Sequence, residues 1–310
     1  MSLRIRQITC LLLLATIIPF VACNSSAKPS IKIFASPDDA GNALLDAAKS
    51  GDQNALLAIF GPESKELISS GDAVQDKAAI DGFVSAYPVM HRWRKMVDGA
   101  QILLIGADNF PFPIPLKVNS AGQWFFDADA GKDEILARRI GRNELAVIDT
   151  CGALADAQAQ YYSERHDGGS AKQYALKVIS DTGKQNGLYW ESPEDQAASP
   201  LGPLVAFATD DGYSVKSASH GPFHGYNFRT LTKQGSHAKG GAKDYLVDGR
   251  MVGGFAFVAY PAEYRNSGVM TFIINQDGVL FQKDLGKTTT ETATAMKEFD
   301  PDSSWSQVEE

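Results

Sequence analysis

Carboxylates at alternate positions are the first feature of this chain with the makings of chemistry: Asp127-Ala128-Asp129-Ala130-Gly131-Lys132-Asp133-Glu134. Hard cations want several oxygens converging on one point, and a tight loop can supply them from every second residue. The pattern then departs from a calcium loop. Gly131 stands at its fifth position, Lys132 where the sharp turn needs glycine, and Arg138 where a closing glutamate belongs. These acids are expected to cap a helix instead. His220 and His224 lie four apart, with His237 further on, a spacing that ligates zinc when a helix presents both rings on one face. Pro222 and the flanking glycines oppose a helix there, and no adjacent acid or thiol completes a set. No metal site and no cofactor is assigned.

Arg138, Arg139 and Arg142 could clamp a phosphate or carboxylate. Glu134 precedes Arg138 by four residues, so a Glu-Arg pair on a solvated helix face accounts for that arginine. Arg139 points elsewhere on the helix and is expected to join two regions of the chain by pairing with a carboxylate such as Asp127. Arg139 and Arg142, with Tyr260, Glu263 and Tyr264 in a proline-containing turn, form a candidate binding surface of the aromatic-rich kind found at interfaces. Trp93, Phe112 and Trp124 mark a candidate pocket. His91 with Asp108 or Asp127 could form a general-base pair.

Other patterns fail at named positions. Gly286-Lys287-Thr288 mimics the end of a phosphate loop, but Phe281 stands where its first glycine should be. Ser236-His237-Ala238-Lys239 has the Ser-x-x-Lys spacing of an acylating nucleophile without a Lys-Thr-Gly partner. Cys151 lies in an apolar helical stripe with no basic neighbour and reads as a buried small hydrophobe. No catalytic residue is assigned.

The elements that must position these residues fall into two groups. Residues 36–130 read as helices followed by strands. Ser36-Pro37-Asp38-Asp39 is a helix start, with an N-cap, proline at the first position and acids in the first turn. Further helices are expected over 53–60 and 74–87, then a strand at 102–105. A hairpin joins 114–118 to 123–126, its first arm held to a sheet edge by Pro111, Pro113 and Pro115. Residues 131–310 open with a helical stripe to about His166, roughly 50 Å long at 1.5 Å per residue. A Gly-, Ser- and Pro-rich stretch follows, then strands at 226–231, 245–247, 255–260, 269–275 and 279–283, and a closing helix from Thr289. The expected class is α+β. The first region resembles cone-shaped domains in which helices pack on a small antiparallel sheet, often around a small ligand. The second, a long helix before an antiparallel sheet, resembles the globular half of pilins.

The leader says where such a body works. Arg4 and Arg6 precede an apolar run from Ile8 to Phe20, and small residues follow, as in a secretory signal over 1–22. Phe20-Val21-Ala22-Cys23 resembles the lipobox of bacterial lipoproteins, although Phe20 replaces the usual leucine; simple secretion is the alternative. The resemblance implies acylation of Cys23, with residues 23–35 as a polar, flexible tether. Loss of Arg4 and Arg6 leaves 27 basic residues against 37 acidic, a net charge of −10. A chain this acidic, without a basic patch, is a poor nucleic-acid binder.

Five segments carry a closer resemblance: Phe110-Pro111-Phe112-Pro113-Ile114-Pro115-Leu116, Arg138-Arg139-Ile140-Gly141-Arg142-Asn143-Glu144, Gly253-Gly254-Phe255-Ala256, Tyr260-Pro261-Ala262-Glu263-Tyr264 and Asn275-Gln276-Asp277-Gly278. They resemble a bacterial family of exported proteins known as domain-of-unknown-function family 2950, along nearly the whole mature chain. The resemblance implies a periplasmic or envelope location and brings no activity with it. Together these readings lead to a non-catalytic interaction, scaffold or assembly component of the envelope. It would face the periplasm from the outer membrane, tethered by Cys23 and engaging an envelope protein partner. A small-ligand binder using the helix-sheet cleft of the first region is the alternative, and a hydrolase the third.

Overall fold

The structure, a computed structural model, describes residues 31–167, 169, 171–192, 198–214 and 221–309. The leader, Cys23 and His220 lie outside the described residues. The molecule is α+β, and most of its strand pairing is antiparallel.

Capping chemistry sets the first helices where the sequence places them. Ser36 accepts the Asp39 amide at 3.1 Å to start α1 (Pro37–Ser50), which ends on Gly51 in the left-handed region. Asp52 caps α2 (Gln53–Phe60), and a short α3 (Lys65–Ile68) follows. Asp72 caps α4 (Ala73–Val89), accepting the Val74 and Gln75 amides at 3.1 and 3.3 Å. The first sheet comprises β1 (His91–Lys95), β2 (Gln101–Ile105), β3 (Phe110–Pro111), β4 (Leu116–Val118) and β5 (Trp124–Phe126), in the order β1-β2-β4-β5 with β3 also on β2. The expected hairpin forms, Leu116 facing Phe126 and Val118 facing Trp124. β1 has no apolar alternation, since Trp93 alone stands among charged residues. It survives as an edge strand, where charge is tolerated and even protective.

Residues 31–35 were expected in the tether, and the structure corrects this. Phe34 exchanges two backbone hydrogen bonds of 2.8 Å with Trp124 and is buried, its ring edge-on to Phe126. An aromatic side chain with a core to enter does not stay in a solvated linker.

The long helix α5 (Ala128–Ser163) starts three residues before the expected position, because Asp127 caps it by accepting the Ala130 amide at 3.2 Å. It continues unbroken through Gly141. Its two halves enter two different cores. Ala128 and Ile135 pack with Phe60, Ile114, Leu116 and Phe126 of the first region. Val147, Cys151, Leu154, Ala157 and Tyr161 pack with the second sheet. Gly131 sits at a close approach, where a Cβ would fall 2.8 Å from the Ile114 side chain and 2.9 Å from its Cα.

Beyond α5, β6 (Lys177–Ile179) pairs in parallel with β7 (Gly187–Tyr189), and α6 (Gly202–Asp210) forms in the stretch whose glycine and proline content concealed it. The second sheet is built on β8 (Tyr226–Leu231). Short ribbons follow: β9 (Lys233–Gln234) with β10 (Lys243–Asp244), and β11 (Leu246–Val247) with β12 (Arg250–Met251). Then come β13 (Ala256–Pro261), β14 (Met270–Asn275), β15 (Leu280–Asp284), α7 (Thr289–Ala295), β16 (Glu298–Phe299) and β17 (Ser306–Gln307). The sheet order is β17-β15-β14-β13-β8. All six residues of β13 are buried, so both faces of that strand are covered; α5 and α7 pack against it. Tyr260 is one of the six. The expectation that it contributes to a binding surface is therefore corrected: its side chain is 8% exposed, on a strand covered on both faces.

Candidate functional site

Helix α4 does not close fully onto the rest of the first region. Its positions Gln75, Asp76, Ala79, Ile80, Phe83 and Ala86, three and four residues apart, line an open cleft of about 520 Å³. Leu44 of α1, Leu56 and Phe60 of α2, and Leu67 and Ile68 of α3 add to the lining. The proline-rich segment from Phe110 to Ile114, with Ile135, Arg138, Arg139 and Arg142 of α5, completes it. Ala79 and Gly82 stay exposed on α4, and Phe110 is 53% exposed across from a guanidinium. The volume is that of a small-molecule site, and most of the side chains around it are aliphatic or phenyl. Of the expected pocket residues, Phe112 lines the cleft. Trp93 and Trp124 instead pack against the first core outside the lining, the buried Trp93 indole N–H finding no partner among the described residues.

The three arginines have different states. Arg138 pairs with Glu134 at 2.6 Å, donates to the Pro111 carbonyl at 3.3 Å and lies 5.1 Å over the Phe110 ring. The i,i+4 pair read from the sequence thus forms. Arg139 bridges the two regions, donating to the carbonyls of Glu66 at 2.8 Å and Leu67 at 3.0 Å and to the side-chain oxygen of Asn266. Its expected carboxylate partner is corrected, for Asp127 is occupied by Lys117 at 2.7 Å and by the cap of α5. Burial lowers the Arg139 pKa, opposed by the nearby carboxylates of Asp76, Glu263 and Glu66. A guanidinium stays charged regardless. Arg142 is exposed at the cleft and, among the described residues, its guanidinium has no hydrogen bond or ion pair.

Next to the cleft runs a buried polar seam. The Asp72 carboxylate, besides capping α4, accepts the Tyr213 hydroxyl at 2.7 Å and the Gly225 amide at 3.0 Å. Burial, then the Asp72 hydrogen bond, pushes the Tyr213 phenol well above its ordinary range. The His224 amide donates to the Tyr213 hydroxyl, and its half-buried ring is held below the usual histidine pKa by desolvation. Asn143 accepts from Gln75 at 3.0 Å and donates to the Ser267 carbonyl at 2.8 Å. Gly225 must be glycine, since its φ is +72° and a Cβ would lie 2.5 Å from the Asn143 amide nitrogen. Glu144 accepts the Val269 and Met270 amides, each at 2.9 Å.

The turn after β13 serves this seam. Glu263 accepts from Asn266 at 2.7 Å, and Asn266 reaches the Ser69 carbonyl at 3.0 Å. Tyr264 donates to Asp284 at 3.1 Å. The suggested general-base pair does not form: His91 stacks on Tyr87 and bonds its carbonyl at 3.0 Å, while Asp108 lines the cleft. His237 pairs with Asp300 at 2.9 Å, apart from the neighbours of His224. Cys151 is buried and its thiol pushed up to about 12 by desolvation. The 286–288 segment is the strand-to-helix turn it was read as.

Asp72, Gln75, Asn143 and Tyr213 were not singled out from the sequence. Asp72 carried a readable signal as an N-cap after Ser70-Gly71, but nothing local tells that its second oxygen serves a residue 141 positions away. Three of the five segments that carried the family resemblance meet here: 110–116 walls the cleft, 138–144 supplies arginines and seam, and 260–264 leads into the turn docked on 69–71.

Comparison with curated proteins and with solved structures returns no significant match to either. The family described as Protein of unknown function (DUF2950) matches residues 31–308, which spans both regions, the cleft and the seam; this chain belongs to that family.

Proposed function

We propose that this chain is an exported, non-catalytic binding protein of the bacterial envelope, tethered through an acylated Cys23, that holds a small ligand in the cleft of its first region. The observation that carries the reading is the cleft itself: about 520 Å³, largely apolar, with an unpaired Arg142 at its side. Pockets of that size and composition bury most of a small ligand and orient it with a few polar groups. A scaffold role has less support. Tyr260 is buried, Arg139 is held between the two regions, and Glu263 and Tyr264, though solvent-accessible, already hold hydrogen bonds within the molecule.

Native mass spectrometry and a ligand thermal-shift panel on the mature chain test the binding role. A true ligand at a hundredfold excess over its Kd stabilises the fold by about 2.7 kcal/mol. A panel without any response, unaffected by filling the cleft through Ala79→Trp, rejects it. The tether is tested separately. Cys23→Ser should abolish labelling by a palmitate analogue and release the protein from membranes; unchanged fractionation rejects the anchor.

A further inference from the structure

Resting on that binding reading, we infer that the cleft takes a single straight hydrocarbon chain ending in a carboxylate, with its acidic head at Arg142. The lining runs along α4 from Gln75 to Ala86, roughly 16 Å at 1.5 Å per residue. Over that length α4 presents Ala79, Ile80, Gly82 and Phe83, small or apolar and without a hydrogen-bonding side chain. A long trough of this kind suits an extended methylene chain, which asks nothing of its walls but dispersion and exclusion of water.

The two ends of the trough differ in charge. At the start of α4, Gln75 bonds Asn143, the neighbour of Arg142, so Arg142 and the half-buried Arg139 belong to this end. Asp76 is the lining carboxylate there, both its oxygens accepting the Ser70 amide at 2.9 and 3.1 Å; its charge and those of Glu66 and Glu263 lie near Arg139, and Lys132 pairs with Glu66. At the far end a Cβ on Gly106 would lie 3.5 Å from Ala86, which brings the neighbouring Asp108 to that end. Between them Arg138 is neutralised by Glu134. An anionic head is thus repelled by Asp108 and attracted by Arg142, the guanidinium left without a partner among the described residues. A planar fork of donors is well matched to a carboxylate.

Calorimetric titration of the mature chain with a homologous series of straight-chain carboxylates, and with the matched alcohols and ammonium ions, tests this. Affinity should rise about fourfold per added methylene until the trough is full. Each carboxylate should bind about tenfold more tightly than its alcohol. Arg142→Ala, an exposed change, should erase that advantage and leave alcohol binding intact, while Ala79→Trp should abolish both. Equal binding of acid and alcohol, indifferent to Arg142→Ala, overturns the acidic head yet leaves the cleft as a binding site. Absence of binding across the series overturns the hydrocarbon-chain assignment, while the binding reading itself stands or falls by the broader thermal-shift panel. Vesicles of an anionic diacyl phospholipid form a second arm; extraction of lipid from them without binding of free carboxylates overturns the single-chain assignment.

Discussion

Asp72 shows how much one side chain can be asked to do. Its carboxylate is 1% exposed and accepts four donors, two that begin α4 and two from the second region. Asp72→Ala leaves those donors buried and unpaired and removes a helix cap, so a loss of about 3 kcal/mol or more is expected in urea denaturation. Asp72→Asn should cost less, since one acceptor oxygen remains. His224 supplies a pH dependence from the same seam. Its ring faces Gln75, Tyr213 and Phe223, with Asp72 and Asp211 near enough to favour its charge, yet burial dominates and lowers its pKa. The unfolded chain then takes up a proton that the folded ring resists. Stability is highest above about pH 6.5 and falls as the pH drops through that value toward the folded pKa. Replacement by Asn, a residue that tolerates the φ of +48° found there, should flatten the slope of denaturation midpoint against pH between about 7 and 5. His237 has the opposite sign, its pKa raised by Asp300, but the ring is exposed and the pair screened by solvent.

At the scale of elements, two glycines on helices make opposite demands. Gly82 lies in an exposed stretch of α4 with nothing near its missing Cβ, so Gly82→Ala should stabilise the fold by about 0.5–1 kcal/mol in thermal denaturation. Gly131 lies where α5 presses on Ile114, and Gly131→Ala should destabilise by about 1–3 kcal/mol through overpacking. The same physics explains what could be read beforehand. Caps and periodic stripes are local, so α1, α2, α4, α5 and the 116–126 hairpin were legible from Ser36, Gly61, the Ile80–Phe83 stripe and the Asn119–Gly122 turn. β1 was not, because it carries no apolar rhythm of its own and is held by its pairing with β2. Nor was α6, because the glycines and prolines around it masked the Leu201, Leu204, Val205 and Ala208 stripe. The cleft was half legible. Phe112 belonged to it, but Ala79 and Asp76 look like an ordinary solvated helix face until the 110–114 segment and α5 are placed beside them.

Taken whole, the described residues form two main cores, a small cluster of Tyr87, Leu103 and Ile105 beside the first, and one helix that belongs to both main cores. Arg139, Asn143 and Asp72 tie the regions together with buried and half-buried hydrogen bonds, and α5 ties them with apolar side chains at both ends. Heat or urea should therefore unfold the mature chain in one transition, with circular dichroism and tryptophan fluorescence coinciding; two separated transitions would contradict this. A fragment ending at Asp127 lacks Ala128 and Ile135 and should show no cooperative melting. A rod shared in this way also dictates how the chain tolerates rearrangement. Severing it between the two bodies strands a greasy stripe on each piece, whereas the solvent-facing tips at 120–122 and 276–278 lie off the rod. Fluorophores, affinity handles and relocated termini belong at those tips.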